Sequence, residues 1–202
     1  MRKAGAIFLA LLIGLVIPLA AQSEDPPDEG EWDYYNDLYT RGDQTFIISL
    51  GSVFPAIFRG NGKAMDRKFS PPIGGTGSLA YNYYLSKEFF VGAELSGMFI
   101  RTLGSNTLFA IPLGARGGYQ FNYHKFEFPF AATFGVVWQR YLNQGYFGIY
   151  TKIGGSAYYK ATSHWSFGVN ADWIWFPQWT GNKAENAHGT FVDLTLSARY
   201  HF

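Results

Sequence analysis

Seven ionisable residues share one property: Glu94, Arg116, Glu127, Lys152, Asp172, Asp193 and Arg199 each lie in a segment of alternating polarity, on the face opposite its apolar side chains. Carboxylates and cations gathered out of bulk water can pair and hydrogen-bond, or they can line a polar path. Glu94 with Arg116, and Lys152 with Asp172, are placed to meet across neighbouring segments. Arg140 is the exception, falling on the apolar face at the end of its segment. Other chemistries find less support. His124, His164, His188 and His201 have no metal-ligand spacing, so neither metal nor cofactor is expected. The glycine-rich "GARGG" and "GNGK" lack the strand-loop-helix context of a phosphate cradle. Cysteine is absent, which excludes disulfides and a lipoprotein anchor.

The elements that must position these charges are strands. Alternation runs through 44–54, 73–85, 88–100, 107–121, 126–141, 147–160, 165–176 and the closing "FVDLTLSARYHF" of 191–202. In the third, Phe89, Val91, Ala93, Leu95 and Phe99 oppose Gly92, Glu94, Ser96 and Met98; in the fifth, Phe128, Phe130, Phe134, Val136 and Trp138 oppose Glu127, Thr133, Gly135 and Gln139. Such a period of two is the signature of a half-apolar strand. The connections alternate in length: Ser86-Lys87, 122–125 and 161–164 are tight, whereas 56–72 and 178–188 are long and 101–106 and 142–146 intermediate. Rings gather at the segment ends, with Tyr81, Phe89, Tyr119, Trp165, Tyr200 and Phe202 on the tight-turn side and Phe99, Trp138, Trp173 and Trp175 on the other.

Composition decides what the apolar face meets. Charged residues make up 15% and aromatics 19% of the chain, too few charges to clothe a water-soluble exported domain. That it is exported follows from "MRKAGAIFLALLIGLVIPLAAQSED", whose basic start, apolar run and small residues have the layout of a signal peptide, with cleavage expected near Ala21. The expected organisation is therefore a signal peptide over 1–21, an acidic, mobile periplasmic leader over 22–43, and over 44–202 an all-β domain. That domain is expected to be an eight-stranded antiparallel up-and-down transmembrane β-barrel. Short turns and both termini should lie in the periplasm of a diderm bacterium, with the protein in its outer membrane. The seven charges would then form a polar network in the lumen.

The ending "LTLSARYHF" resembles the C-terminal assembly signal of bacterial outer-membrane barrels, which implies that Leu194, Leu196, Tyr200 and Phe202 address the chain to the insertion machinery. By strand count, signal peptide, loop pattern and stretches such as "GGTGSLAYNYYL" and "FFVGAELSGMF", the chain is similar to the OmpW family and more loosely to small OmpA/OmpX-type barrels. That resemblance implies a narrow channel for small hydrophobic molecules. Val53, Met98, Ile100 and Phe176 are then candidates for an apolar vestibule at the loop end.

Two further classes of function stay open. One is a non-conducting barrel that contacts a host ligand or matrix through 56–72 and 178–188; the first of these carries Arg59, Lys63, Arg67 and Lys68. The other is a lipid-modifying enzyme, since "HWS" at 164–166 resembles the His-x-Ser of a lipid A deacylase barrel. With no acidic orienter in view, a non-enzyme is expected. Outer-membrane lipids and the assembly machinery are the expected partners, nucleic acid is not, and the "RGD" of 41–43 should be hidden in the periplasm. Deleting Phe202 is expected to lower outer-membrane abundance while the purified chain still refolds in micelles. Normal abundance of the deletion, measured by immunoblot of membrane fractions, would remove the addressing role.

Overall fold

The computed structural model describes residues 39–60, 63–64, 69–102, 107–141, 144–178 and 187–202. The expected signal peptide and most of the expected leader, at 1–38, lie outside the described residues. Eight long strands form one antiparallel meander: β1 Gln44–Gly60, β2 Phe69–Tyr84, β3 Phe89–Thr102, β4 Thr107–Tyr123, β5 Phe126–Tyr141, β6 Gln144–Lys160, β7 Trp165–Gln178 and β8 Ala187–His201. Each pairs with the next, and β1 pairs with β8 from Thr45↔His201 to Gly60↔Ala187, which closes the sheet into a barrel. The two residues Lys63–Ala64 extend the β1 end by pairing with Gly60 and Arg59.

Alternation along each strand becomes inside and outside. Ile48, Leu50, Leu95, Leu113, Phe130, Phe134, Ile153, Val169 and Leu196 stay exposed around the outer wall, while their neighbours Ile47, Ser49, Glu94, Pro112, Thr133, Lys152, Asn170 and Ser197 are buried. A wall of this kind is stable in hydrocarbon, where closure also leaves no backbone edge unpaired. The fold is that of a transmembrane β-barrel.

One end of the barrel has tight connections. At Leu85–Glu88 the Ser86 hydroxyl accepts from the amides of Glu88 and Phe89 at 3.3 and 3.1 Å. At 161–164 the Thr162 hydroxyl accepts from His164 and Trp165 at 3.3 and 3.1 Å. Between β4 and β5 only His124 and Lys125 intervene, and His124 takes φ 54° to make the reversal. This turn is shorter than the 122–125 expected, because Asn122 and Tyr123 pair with Glu127 and Phe126.

At the other end the strands outrun their expected bounds. The long connection expected over 56–72 is largely strand: β1 continues to Gly60 and β2 starts at Phe69. The register shifts between Pro55 and Phe58 in β1, and between Phe69 and Gly74 in β2. Pro55 stands at the edge of the first interval and Pro71 and Pro72 inside the second, and such irregularities are where a sheet tolerates a missing N–H. The Thr190 hydroxyl fills the β1 irregularity, accepting from the Ile57 amide at 2.9 Å and donating to the Ile57 carbonyl at 3.0 Å. In the same way 178–188 contracts, since β7 reaches Gln178 and β8 begins at Ala187, and β6 resumes at Gln144. Seventeen residues at about 3.3 Å each give on the order of 55 Å, which rises about 40 Å at barrel tilt, so the longest strands project well beyond a ~25 Å apolar band.

Candidate functional site: a filled lumen

Inward-facing residues stack in layers from the turn end to the loop end. The turn-end layer is centred on Arg199, fully buried near the end of β8. Its Nη1 donates to Glu127 Oε2 and to Gln120 Oε1, each at 3.0 Å, and its guanidinium lies 3.9 Å from the Tyr158 ring centroid. The Tyr84 hydroxyl donates to the same Gln120 oxygen at 2.7 Å, and Lys160 Nζ lies 3.9 Å from Glu127 Oε1.

Into this layer the chain inserts Tyr39, five residues ahead of β1. Its ring packs on Tyr84 with centroids 4.2 Å apart, its hydroxyl donates to Glu127 Oε1 at 2.9 Å, and that hydroxyl also lies 3.1 Å from His201 Nδ1. His201 Nε2 in turn meets the Ser166 hydroxyl at 2.8 Å. Burial, reinforced by the neighbouring Tyr84 and Glu127, pushes the Tyr39 phenol well above the usual tyrosine range, which keeps it a donor. The "RGD" triplet makes the insertion possible. Gly42 takes φ 109° and donates to the Tyr84 carbonyl at 3.0 Å, while Asp43 accepts from the Thr40 amide at 2.7 Å. The end of the expected mobile leader is thus packed on the barrel.

The middle layer is centred on Glu94. Arg116 Nη1 lies 2.8 Å from its Oε2 and Lys152 Nζ 2.6 Å from its Oε1, and the hydroxyls of Ser96 and Thr133 donate at 2.9 and 3.3 Å. Lys152 extends the cluster to Asp172 at 3.2 Å and Asp193 at 4.0 Å. Space for this comes from glycine: a Cβ on Gly154 would overlap the Asp172 carboxylate, and one on Gly114 would press the Tyr150 hydroxyl. Between the two charged layers, Asn170 Nδ2 donates to Thr195 Oγ1 at 2.7 Å and to Ser197 Oγ, and Ser197 meets Ser49 at 2.7 Å.

At the loop end Val53, Met98, Ile100 and Phe176 come together, each no more than 2% exposed. They pack with Ala110, Val137, Tyr150, Ile174 and Phe191 as one apolar layer, filled rather than open. Beyond it Gln178 Nε2 donates to Gln139 Oε1 at 2.9 Å.

The seven charged residues thus divide into two groups: Glu127 and Arg199 at the turn end, the other five in the middle. The histidine of "HWS" does not partner Ser166; His164 bonds Ser163 at 2.8 Å, and His201 takes its place. Sequence parity alone puts Gln120, Asn170 and His201 inside, but it carries no sign of Tyr39. Leu194 and Leu196 face outward on β8, and Tyr200 and Phe202 meet edge to face with centroids 5.0 Å apart.

A family model of uncharacterised treponemal proteins matches residues 22–200. The chain belongs to this family. Two Treponema pallidum proteins, both described as uncharacterised, are related to it. One is 31% identical over 129 residues, covering 64% of this chain and 59% of its own length; the other is 23% identical over 191 residues, covering 82% and 66%. The chain therefore spans about three-fifths to two-thirds of these relatives. Among solved structures, Neisserial surface protein A superposes with a TM-score of 0.53 at 11% identity, over 80% of this chain and 97% of that one. This treponemal family member has the fold of a small outer-membrane barrel.

Glu94 holds two cations, so its loss strands Arg116 and leaves Lys152 to Asp172 and Asp193 alone, whereas loss of Arg116 leaves Glu94 its Lys152. Glu94→Ala is expected to cost about 3–5 kcal/mol of refolding stability in micelles and Arg116→Ala distinctly less. Urea titration of the heat-modifiable band measures both, and an equal cost would contradict the hub. Opening the turn end is a separate test. In a Ser166→Cys background, Tyr39→Ala is expected to turn an inert thiol into one that a water-soluble maleimide labels in minutes.

Proposed function

We propose that this chain is an outer-membrane barrel that does not conduct, and that it works as a rigid scaffold presenting its loop-end hairpins to partners outside the membrane. The observation that carries this reading is the continuity of the filling. From Tyr39 through Arg199, Glu94 and the Val53–Phe176 layer, each level of the lumen is occupied by side chains packed or bonded across the axis. An eight-stranded barrel has room for little more than its own side chains. The projecting ends of β1 and β2 supply the outward surface, and the connections at 56–72 and 178–188 are the proposed contact regions for a host ligand or matrix. Outer-membrane lipids around the wall, and the assembly machinery at Leu194–Phe202, are the other proposed partners.

The reading is also non-enzymatic. Ser166 has no exposed surface, and Tyr39 covers the histidine beside it. An OmpW-like channel would require the apolar layer to part and the Glu94 cluster to separate, each of which exposes groups the fold has matched to one another. Planar-bilayer recording of the refolded, processed chain decides between these readings. The expected trace is flat at neutral pH, and Glu94→Ala should bring only noise from a loosened barrel. Discrete, reproducible current steps from the unaltered protein, blocked by small hydrophobic molecules, would establish the channel instead.

A further inference from the structure

Among the described side chains of the eight strands, every charged residue but two points into the lumen. The two are Arg101 and Arg140, both arginines, both exposed, and both at the loop-end rim. Arg101 sits opposite Thr107, and Arg140 opposite Phe109, so one strand, β4, separates them. Two inter-strand spacings of about 10 Å combined with a two-residue offset of about 7 Å along β4 put the backbones roughly 12 Å apart, within the combined reach of two extended guanidinium side chains. No described residue forms an ion pair with either. Between and below them the wall is aromatic: Phe99 lies opposite Phe109, and Phe109 meets Trp138 edge to face with centroids 6.2 Å apart.

A cation on a lipid-facing wall is costly within hydrocarbon but favourable at the interface, where rings and guanidinium groups meet headgroups. Guanidinium also matches phosphate geometry, donating two parallel hydrogen bonds to its oxygens. We propose that Arg101 and Arg140 form a binding site for the phosphate of an anionic membrane lipid, whose acyl chain lies down the Phe99, Phe109 and Trp138 surface. The occupant is a lipid rather than a free anion because the cationic pair continues into an apolar track that only an amphiphile covers. Either leaflet could supply it, so the site does not depend on which side the loop end faces. It rests on the membrane reading above.

The test uses the processed chain refolded into phosphatidylcholine nanodiscs doped with phosphatidylglycerol. Native mass spectrometry counts the phosphatidylglycerol that stays with the barrel on release, and the heat-modifiable band reports folding. The unaltered protein is expected to retain phosphatidylglycerol over phosphatidylcholine, with R101Q/R140Q losing that preference by about tenfold or more. R101K/R140K should keep part of it, and Lys87→Gln, at the turn end, all of it. Equal retention by the parent and R101Q/R140Q overturns the site. So does inorganic phosphate displacing the lipid at millimolar concentration, which would mark a simple anion site. A chain that gives no folded band in phosphatidylcholine alone fails at the membrane reading, and the lipid site falls with it.

Discussion

The ladder between β1 and β8 is the contact on which everything else depends. These strands stand at opposite ends of the meander, and unless they pair, the sheet offers two edges of bare N–H and C=O groups to hydrocarbon. Closing it also creates the lumen. Ser49 and Ser197, the partners that bond at 2.7 Å inside the barrel, belong to these two strands, so the ring of backbone bonds and the polar interior form together. The ladder runs to the turn end of both strands, where Phe202 donates its amide to the Gln44 carbonyl.

Closure makes every alternating strand a statement about two solvents. The outside meets lipid, and so Leu50, Phe134 and Ile153 can be exposed without penalty. The inside is small and dry, so any charge placed there must be answered there. Glu94 is answered by Arg116 and Lys152, Lys152 also by Asp172 and Asp193, and Arg199 by Glu127. Apolar residues of similar volume would often serve stability as well as a buried ion pair does. What the charges add is register. A strand slipped by one residue would turn Glu94 or Lys152 into the lipid and Leu95 or Ile153 into the lumen, and both errors are costly.

The barrel class, the strand number, the sidedness of the connections and the two charge pairs were legible because each follows from a period of two and from neighbour order. The strand ends were not. Pro55, Pro71 and Pro72 read locally as interruptions, but β1 and β2 absorb them at register shifts that only cross-strand pairing reveals. Parity places Met98, Ile100 and Phe176 inside, yet whether such residues line a space or fill it depends on barrel shear and on Ile174 and Phe191 reaching the same level. Tyr39 was the least legible. It lies outside any alternating segment, and the feature that directs it inward, a glycine at φ 109° held by the Tyr84 carbonyl, is a tertiary contact between distant stretches of chain.

Tyr39 also changes what the turn end is. A barrel with Arg199, Lys160 and Glu127 beneath an open mouth would wet that layer and weaken each of its bonds. The phenol instead completes it, since its hydroxyl serves Glu127 and His201 at once while its ring lies against Tyr84 and within 5.4 Å of Lys160. At the loop end the buried level is instead the apolar layer around Met98 and Phe176. The asymmetry follows from sequence order. The turn end gathers both ends of the barrel domain and can borrow a side chain from the segment ahead of β1, whereas among the described residues the loop-end layer is drawn from the strands themselves. The ion pairs of the middle layer are largely buried between these two layers, where the local dielectric is low and such pairs are strongest.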